Sequence, residues 1–390
     1  MDNFTFCSPT YFIFGKGTHQ KVGKYVQCYG GKKVLLHYGG GSIKRTGVYD
    51  AVVASLQAYD IEVVELGGVQ PNPVSSMVYR GIDLCRQENV DFILAVGGGS
   101  VIDSAKAIAA GVLYEGDFLD FFQGKAKIQK ALPVATVLTI PAAGSEGSFN
   151  TVITDEKTLV KCGAAGEAIR PVFSILNPEL TFTLPSYQSA CGVTDIMAHI
   201  LERYISNTKN VEITDRFCEA VLLTMIHEAP KVLQNPKDYD AQANIMWGGM
   251  VAHNNICGVG REQDWGTHAL EHQLSAHYQI AHGAGLAIMF PAWMRYVADH
   301  DVDLFARLAV RVWGLPLDEA NPKTTALAGI EKFAQFWQSL GMPANLTEIG
   351  AKVEDIPKLI ATLGVSDTKA VGRFVPIYAK DAEAIYRSAF

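Results

Sequence analysis

Two glycine triplets constrain this chain more than any other feature. The apolar run Lys33-Val34-Leu35-Leu36-His37-Tyr38 stops at Gly39-Gly40-Gly41, and Asp91-Phe92-Ile93-Leu94-Ala95-Val96 stops at Gly97-Gly98-Gly99. Each triplet follows a predicted strand and opens a predicted helix. Further runs at 61–66 and 133–140 read as strands, and apolar positions recur at helical spacing over 46–58 and 73–88. Continuous apolar strands separated by helices predict a parallel sheet covered on both faces.

From about Ser186 the β-branched runs disappear. Helical patterns follow one another over 195–205, 213–232, 241–253, 265–277, 302–312 and 324–339. Gly314-Leu315-Pro316 and Gly341-Met342-Pro343 punctuate them. The expected organisation is a Rossmann-like α/β domain over 1–184 and an all-helical domain over 185–390, with the boundary near Leu184-Pro185.

The glycine turns suggest a ligand. Where a strand feeds a helix, glycine lets a phosphate approach the backbone, and the helix N-terminus offers N–H donors and a positive dipole end. Two such turns in one sheet suit a dinucleotide. The G-x-G-x-x-G fingerprint is absent, because the last position is Lys44 in one turn and Ile102 in the other. Ser100 and Asp103 also have the S-x-x-D spacing of a helix-capping pair. The first turn continues as Ser42-Ile43-Lys44-Arg45 with no carboxylate. A hydroxyl and two cations there favour a 2′-phosphate, so NADP(H) is favoured, with NAD(H) open.

The helical half carries a metal-ligand pattern. Asp195 and His199 stand four apart, as do His268 and His272, and His282-Gly283 follows. Residues four apart on a helix share a face. One Asp with several His is a donor set for Fe²⁺ or Zn²⁺. Spacing alone does not choose between His268 and His272; a histidine that does not bind would stand beside the ion as a proton carrier. His253 and His277 read as ordinary residues.

Composition excludes other classes. Over 390 residues the formal net charge is -7 and no basic block of five or more occurs, which disfavours nucleic acid. The seven cysteines are scattered without a C-x-x-C, as expected of reduced thiols. No basic n-region opens the chain and no run of 18 apolar residues exists, so a soluble, cytoplasmic protein without membrane spans is expected.

Taken together, Phe14-Gly15-Lys16-Gly17, the segment from Gly39 to Gly47, Pro71-Asn72-Pro73, the segment from Gly97 to Asp103, Asp195 with His199, Gln263-Asp264-Trp265-Gly266-Thr267-His268 and His282-Gly283 form an ordered series. This series resembles the iron-containing (group III) alcohol dehydrogenases, specifically their butanol dehydrogenase-like branch, end to end. The resemblance implies a dehydroquinate synthase-like fold with the active site in the cleft between the two domains. It implies metal ligands Asp195, His199, His268 and His282, with His272 near the ion without binding it. It implies cofactor contacts from Gly39, Gly40, Gly41, Ser42, Asn72, Gly98, Gly99, Ser100, Asp103, Thr139 and Lys161, and a homodimer. One departure stands out. Many members carry Gly-Thr before the Ser-Glu that follows Thr139, whereas here Ala142-Ala143 precedes Gly144-Ser145-Glu146, so a hydroxyl is missing or displaced.

The expected reaction interconverts a primary alcohol and an aldehyde, butanol and butanal being the type. Rival readings are a glycerol dehydrogenase or dehydroquinate synthase-like lyase of the same superfamily, and a non-catalytic redox sensor binding metal and nucleotide. Trp247, Trp265 and Phe149 are candidates for an apolar substrate wall, as well as for core packing.

Overall fold

The computed structural model describes residues 1–390. Strands β1 (Tyr11–Phe14), β2 (Lys33–Tyr38), β3 (Glu62–Leu66), β4 (Phe92–Gly98), β5 (Val134–Ile140) and β8 (Phe173–Leu176) form one sheet in the order β1-β8-β5-β4-β2-β3. Every pairing in it is parallel. Alternate residues feed opposite faces. Leu35, Ile93 and Ala95 enter one buried cluster, while Val34, Leu36, Leu94 and Val96 enter the other. That two-sided burial is why these strands read as unbroken apolar runs.

The chain passes from β2 outward to β3 and returns on the other side of β2 to β4. The strand order therefore reverses between β2 and β4, and both glycine triplets lie at the carboxyl ends of those two strands. This is the crevice where open α/β sheets take ligands. Position 98, the last of β4, suits glycine because a Cβ there would lie 2.9 Å from Ile140 Cβ on β5. Gly41 has φ of +90°, which favours glycine, and opens the short helix Ser42–Arg45.

Strands β1 and β8 and an antiparallel hairpin of β6 (Asn150–Asp155) and β7 (Val160–Ala165) were not expected from the sequence. The helix Gly99–Val112 begins at the last glycine of its triplet, so Ser100 sits inside the first turn and no side chain caps that end. The capping-pair reading of Ser100 and Asp103 is thereby corrected.

The helical half contains Ser186–Tyr204, Glu212–Gln234, Gly266–Tyr278, His282–Val297, Val302–Trp313, Pro322–Ser339, Ile356–Leu363 and Ala379–Ser388. Helix Ser186–Tyr204 starts nine residues before the expected 195, its polar first turn masking the apolar period. Helix His282–Val297 was not expected: it is buried nearly all round and has no polar face. Two compact units emerge. One comprises Cys7–Pro185 with Asn235–Met250, the other Met1–Phe6, Ser186–Gln234 and Val251–Phe390. No helix is long and apolar enough to cross a membrane.

Candidate active site

Asp195 and His199 lie one turn apart on helix Ser186–Tyr204 and are each 5% exposed. His268 stands in the first turn of helix Gly266–Tyr278, and His282 opens the next helix. All three imidazoles aim Nε2 at one oxygen. Asp195 Oδ1 is 3.4 Å from His199, 3.9 Å from His268 and 3.8 Å from His282. Asp195 Oδ1 and His268 Nε2 are buried and neither has a hydrogen-bond partner. Buried polar atoms are rarely left unpaired. Convergent donors around an orphaned carboxylate oxygen fit a divalent cation of the Fe²⁺ or Zn²⁺ kind.

Asp195, His268 and His282 each offer a ligand atom within 4.8 Å of the other two. His199 approaches this set through Asp195. Gly283 makes the approach of the two helices possible, because a Cβ there would overlap the Cys191 carbonyl on helix Ser186–Tyr204.

Behind the donors stand carboxylates. His268 Nδ1 meets Glu202 Oε1 at 2.8 Å, and His282 Nδ1 pairs with Glu271. A carboxylate on Nδ1 holds the proton there and leaves the Nε2 lone pair facing the site. Glu202 also accepts from the backbone N–H of Trp265 and His268, at 2.7 and 2.9 Å, and so fixes the start of that helix.

Burial pushes the Asp195 carboxyl up, but His282 and His199 outweigh it and hold the group well below the usual carboxylate range. Burial pulls His199 down to about 3. Burial lowers His268 too, yet the neighbouring Asp195 and Glu202 carboxylates raise it to about 9. The two carboxylates thus call for positive charge at His268, which a proton or a metal ion can supply.

His272 stands beside this set, its ring 6.3 Å from His268 and 5.4 Å from His282. With Glu271 and His282 it forms a second group of potential ligands. His253, read as ordinary, is close by, with its ring 4.2 Å from that of His199. Arg203 links the two, donating to the His199 carbonyl at 2.6 Å and to His253 Nδ1 at 2.9 Å while lying 4.7 Å over the Trp265 ring. No local spacing signals this contact, because Arg203 and His253 are 50 positions apart. Trp265 also faces His199 and His268 at 5.4 and 5.2 Å. Phe149 lies under Arg170, and Trp247 packs on Phe12 and Phe14. His277 bonds Thr362.

The expected cofactor residues belong to the α/β unit. Gly40 and Gly41 face open space, and Gly39 lies near the Val69 carbonyl. Ser42 opens a helical turn, Gly98 ends β4, Gly99 and Ser100 begin its helix, and Thr139 is half-buried near the end of β5. Asn72 and Lys161, far apart in sequence, are joined by a 3.0 Å hydrogen bond. Asp103 turns inward: Oδ1 accepts from Ser145 and Oδ2 from the Val152 N–H. Glu65, at the end of β3, was overlooked. It accepts from Tyr38, Lys44 and Tyr49. Partial burial pushes its carboxyl up, but these donors hold it at about 2. The signal was present, since an acidic residue some 20 positions past a glycine turn commonly meets the ribose of NAD.

Comparison with known proteins decides the family. The description "Iron-containing alcohol dehydrogenase" matches residues 9–178, and "Fe-containing alcohol dehydrogenase family, C-terminal" matches 189–390. The chain belongs to the iron-containing alcohol dehydrogenase family. It is 44% identical, over the full length of both chains, to a protein of Bacillus subtilis named probable NADH-dependent butanol dehydrogenase 2. It is 37% identical to the NADPH-dependent aldehyde reductase YqhD of Escherichia coli, again over both full lengths. The crystal structure of NADH-dependent butanol dehydrogenase A from Thermotoga maritima superposes with a TM-score of 0.97 at 43% identity, covering 100% of this chain and 99% of that one. This iron-containing alcohol dehydrogenase is therefore a butanol dehydrogenase-like alcohol/aldehyde oxidoreductase that uses NAD(P)H and a metal site containing Asp195, His268 and His282.

Proposed function

We propose that this enzyme interconverts short primary alcohols and their aldehydes, with butanol and butanal as representative substrates. The observation that carries the reading is the convergence of three imidazoles on the orphaned Asp195 oxygen. Asp195, His268 and His282 would hold the ion, with His199 as the fourth ligand. When bound, the ion supplies a Lewis acid for the substrate oxygen and the nicotinamide supplies or accepts the hydride. Glu202 and Glu271 keep the proton on the far nitrogen of His268 and His282, so that both rings present a lone pair. His272 is the proton carrier, moving a proton between the substrate oxygen and solvent from its place beside His282.

The nucleotide lies along the carboxyl edge of the sheet. Gly39, Gly40, Gly41 and Ser42 form one turn of its site and Gly98, Gly99 and Ser100 the other, with Asn72, Thr139 and Lys161 beside them. Asp103 acts from behind. NADP(H) is favoured, through Ser42 and Arg45. Lys44 is already engaged by Glu65, so the margin over NAD(H) is below about tenfold, roughly 1.4 kcal/mol.

The homodimer forms through β1, an edge strand with Tyr11 57% and Phe14 39% exposed. Trp247, 44% exposed, packs on Phe12 and Phe14 beside it. An open edge flanked by aromatics suits pairing with its own copy; light scattering reads the mass. The relatives named above are alcohol or aldehyde oxidoreductases, which counts against the lyase and sensor readings.

NADPH and NADH oxidation with butanal tests the proposal. Turnover should vanish on chelation and return with Fe²⁺ or Zn²⁺. Bound metal without turnover on any aldehyde or alcohol would contradict it.

A further inference from the structure

Lys106 is fully buried in the α/β unit, on the helix that opens at Gly99. Its ammonium donates to the carbonyls of Ser145, Ser148 and Asn150 at 2.6, 2.9 and 2.9 Å. The hydroxyls of Ser145 and Ser148 lie at 2.9 and 3.3 Å. A lysine has three protons to give, and three carbonyls of the segment 145–150 receive them. One turn earlier, Asp103 accepts from the Ser145 hydroxyl at 2.5 Å and from the Val152 N–H at 2.9 Å. Its own carbonyl accepts from the Thr151 hydroxyl at 2.8 Å. Asp103, Glu146 and Arg170 are the charged groups that act on Lys106.

Residues three apart on a helix share a face, and here that face is bolted to 145–152. The bolted segment includes the start of β6. Its partner β7 carries Lys161, which reaches Asn72 at 3.0 Å. The loop ahead of the hairpin also borders the glycine turn, for a Cβ on Gly99 would lie 4.0 Å from the Ala143 Cβ. A buried ammonium is costly, and an apolar side chain of similar volume often serves stability as well. What the ammonium gives that an apolar group cannot is a fixed geometry for three carbonyls.

We infer that Asp103 and Lys106 are positioning residues that dock the loop 143–150 and the β6–β7 hairpin onto the helix of the second glycine turn. They thereby set where Lys161 stands relative to Gly98, Gly99 and Ser100. This rests on the nucleotide placement proposed above. Neither residue touches the nucleotide; each acts through the backbone it holds.

The test uses the metal-loaded enzyme and equilibrium titration with NADH and NADPH. Asp103→Asn and Lys106→Met should each raise the nucleotide Kd at least tenfold and accelerate amide exchange across 150–165. The KM for butanal and the metal content should stay within twofold. Ser145→Ala removes one hydroxyl that serves both residues and is the milder variant if Lys106→Met does not fold; it should raise Kd severalfold. Lys161→Met separates the two layers of the argument. If it weakens nucleotide binding while Asp103→Asn and Ser145→Ala do not, the docking role is overturned. If Lys161→Met leaves nucleotide affinity unchanged, the nucleotide placement falls, and the docking role with it.

Discussion

His268 gives its Nδ1 proton to Glu202 across 2.8 Å, and the same carboxylate receives the backbone N–H groups that begin the His268 helix. One buried side chain thus sets both the tautomer of a ligand and the position of its helix. Glu202→Gln keeps the shape but loses the charge and one acceptor oxygen. Removal of such partners costs about 10–100-fold in metal affinity. Competition with a chelator should show a loss in that range; unchanged affinity would remove Glu202 from the account.

Gly283 makes a second expectation. It follows His282 directly, and a side chain there would collide with the backbone of Cys191, one turn from Asp195. Gly283→Ala should force the two helices apart. Overpacking of this kind costs about 1–3 kcal/mol, and thermal unfolding and metal content should fall together.

These two relationships show what was legible. Asp195 with His199 and His268 with His272 could be found because a helix places residues four apart on one face. The glycine turns could be found because β2 and β4 are buried on both sides. Glu202 and Glu271 carry no such signal; each is recognisable only once distant helices meet. Short β1 and β8 gain their strand character from pairing with each other and with β5. Segment Asn235–Met250 groups with the α/β unit through packing that no local pattern reveals.

Glu65 bears on nucleotide choice. Its carboxylate binds Lys44, one of the cations that would attract a 2′-phosphate. Glu65→Gln removes the negative charge and frees Lys44. The ratio of kcat/KM for NADPH over NADH should rise about tenfold, equivalent to roughly 1.4 kcal/mol. A fall in the ratio would show that Glu65 does not face the 2′ position.

Glu146 gives a pH dependence. Burial drives its carboxyl from 4.5 up to about 7, and Oε1 has no hydrogen-bond partner. A folded value above the unfolded one means the charged form costs stability. That cost is absent below about pH 4.5 and complete above about pH 7. Glu146→Gln should therefore raise the unfolding temperature at pH 8, by an amount equivalent to roughly 3 kcal/mol. The gain should shrink towards zero at pH 4.5, and an equal gain at both values would contradict the assignment.

The most direct test of the central claim is metal content in three purified variants. Asp195→Ala and His268→Ala should emerge without bound iron or zinc and without butanal reduction. His272→Ala should retain the metal of the parent enzyme while turning over more slowly. Full metal occupancy in Asp195→Ala or His268→Ala, or loss of metal in His272→Ala as complete as in His268→Ala, would contradict the assignment of ligands and proton carrier.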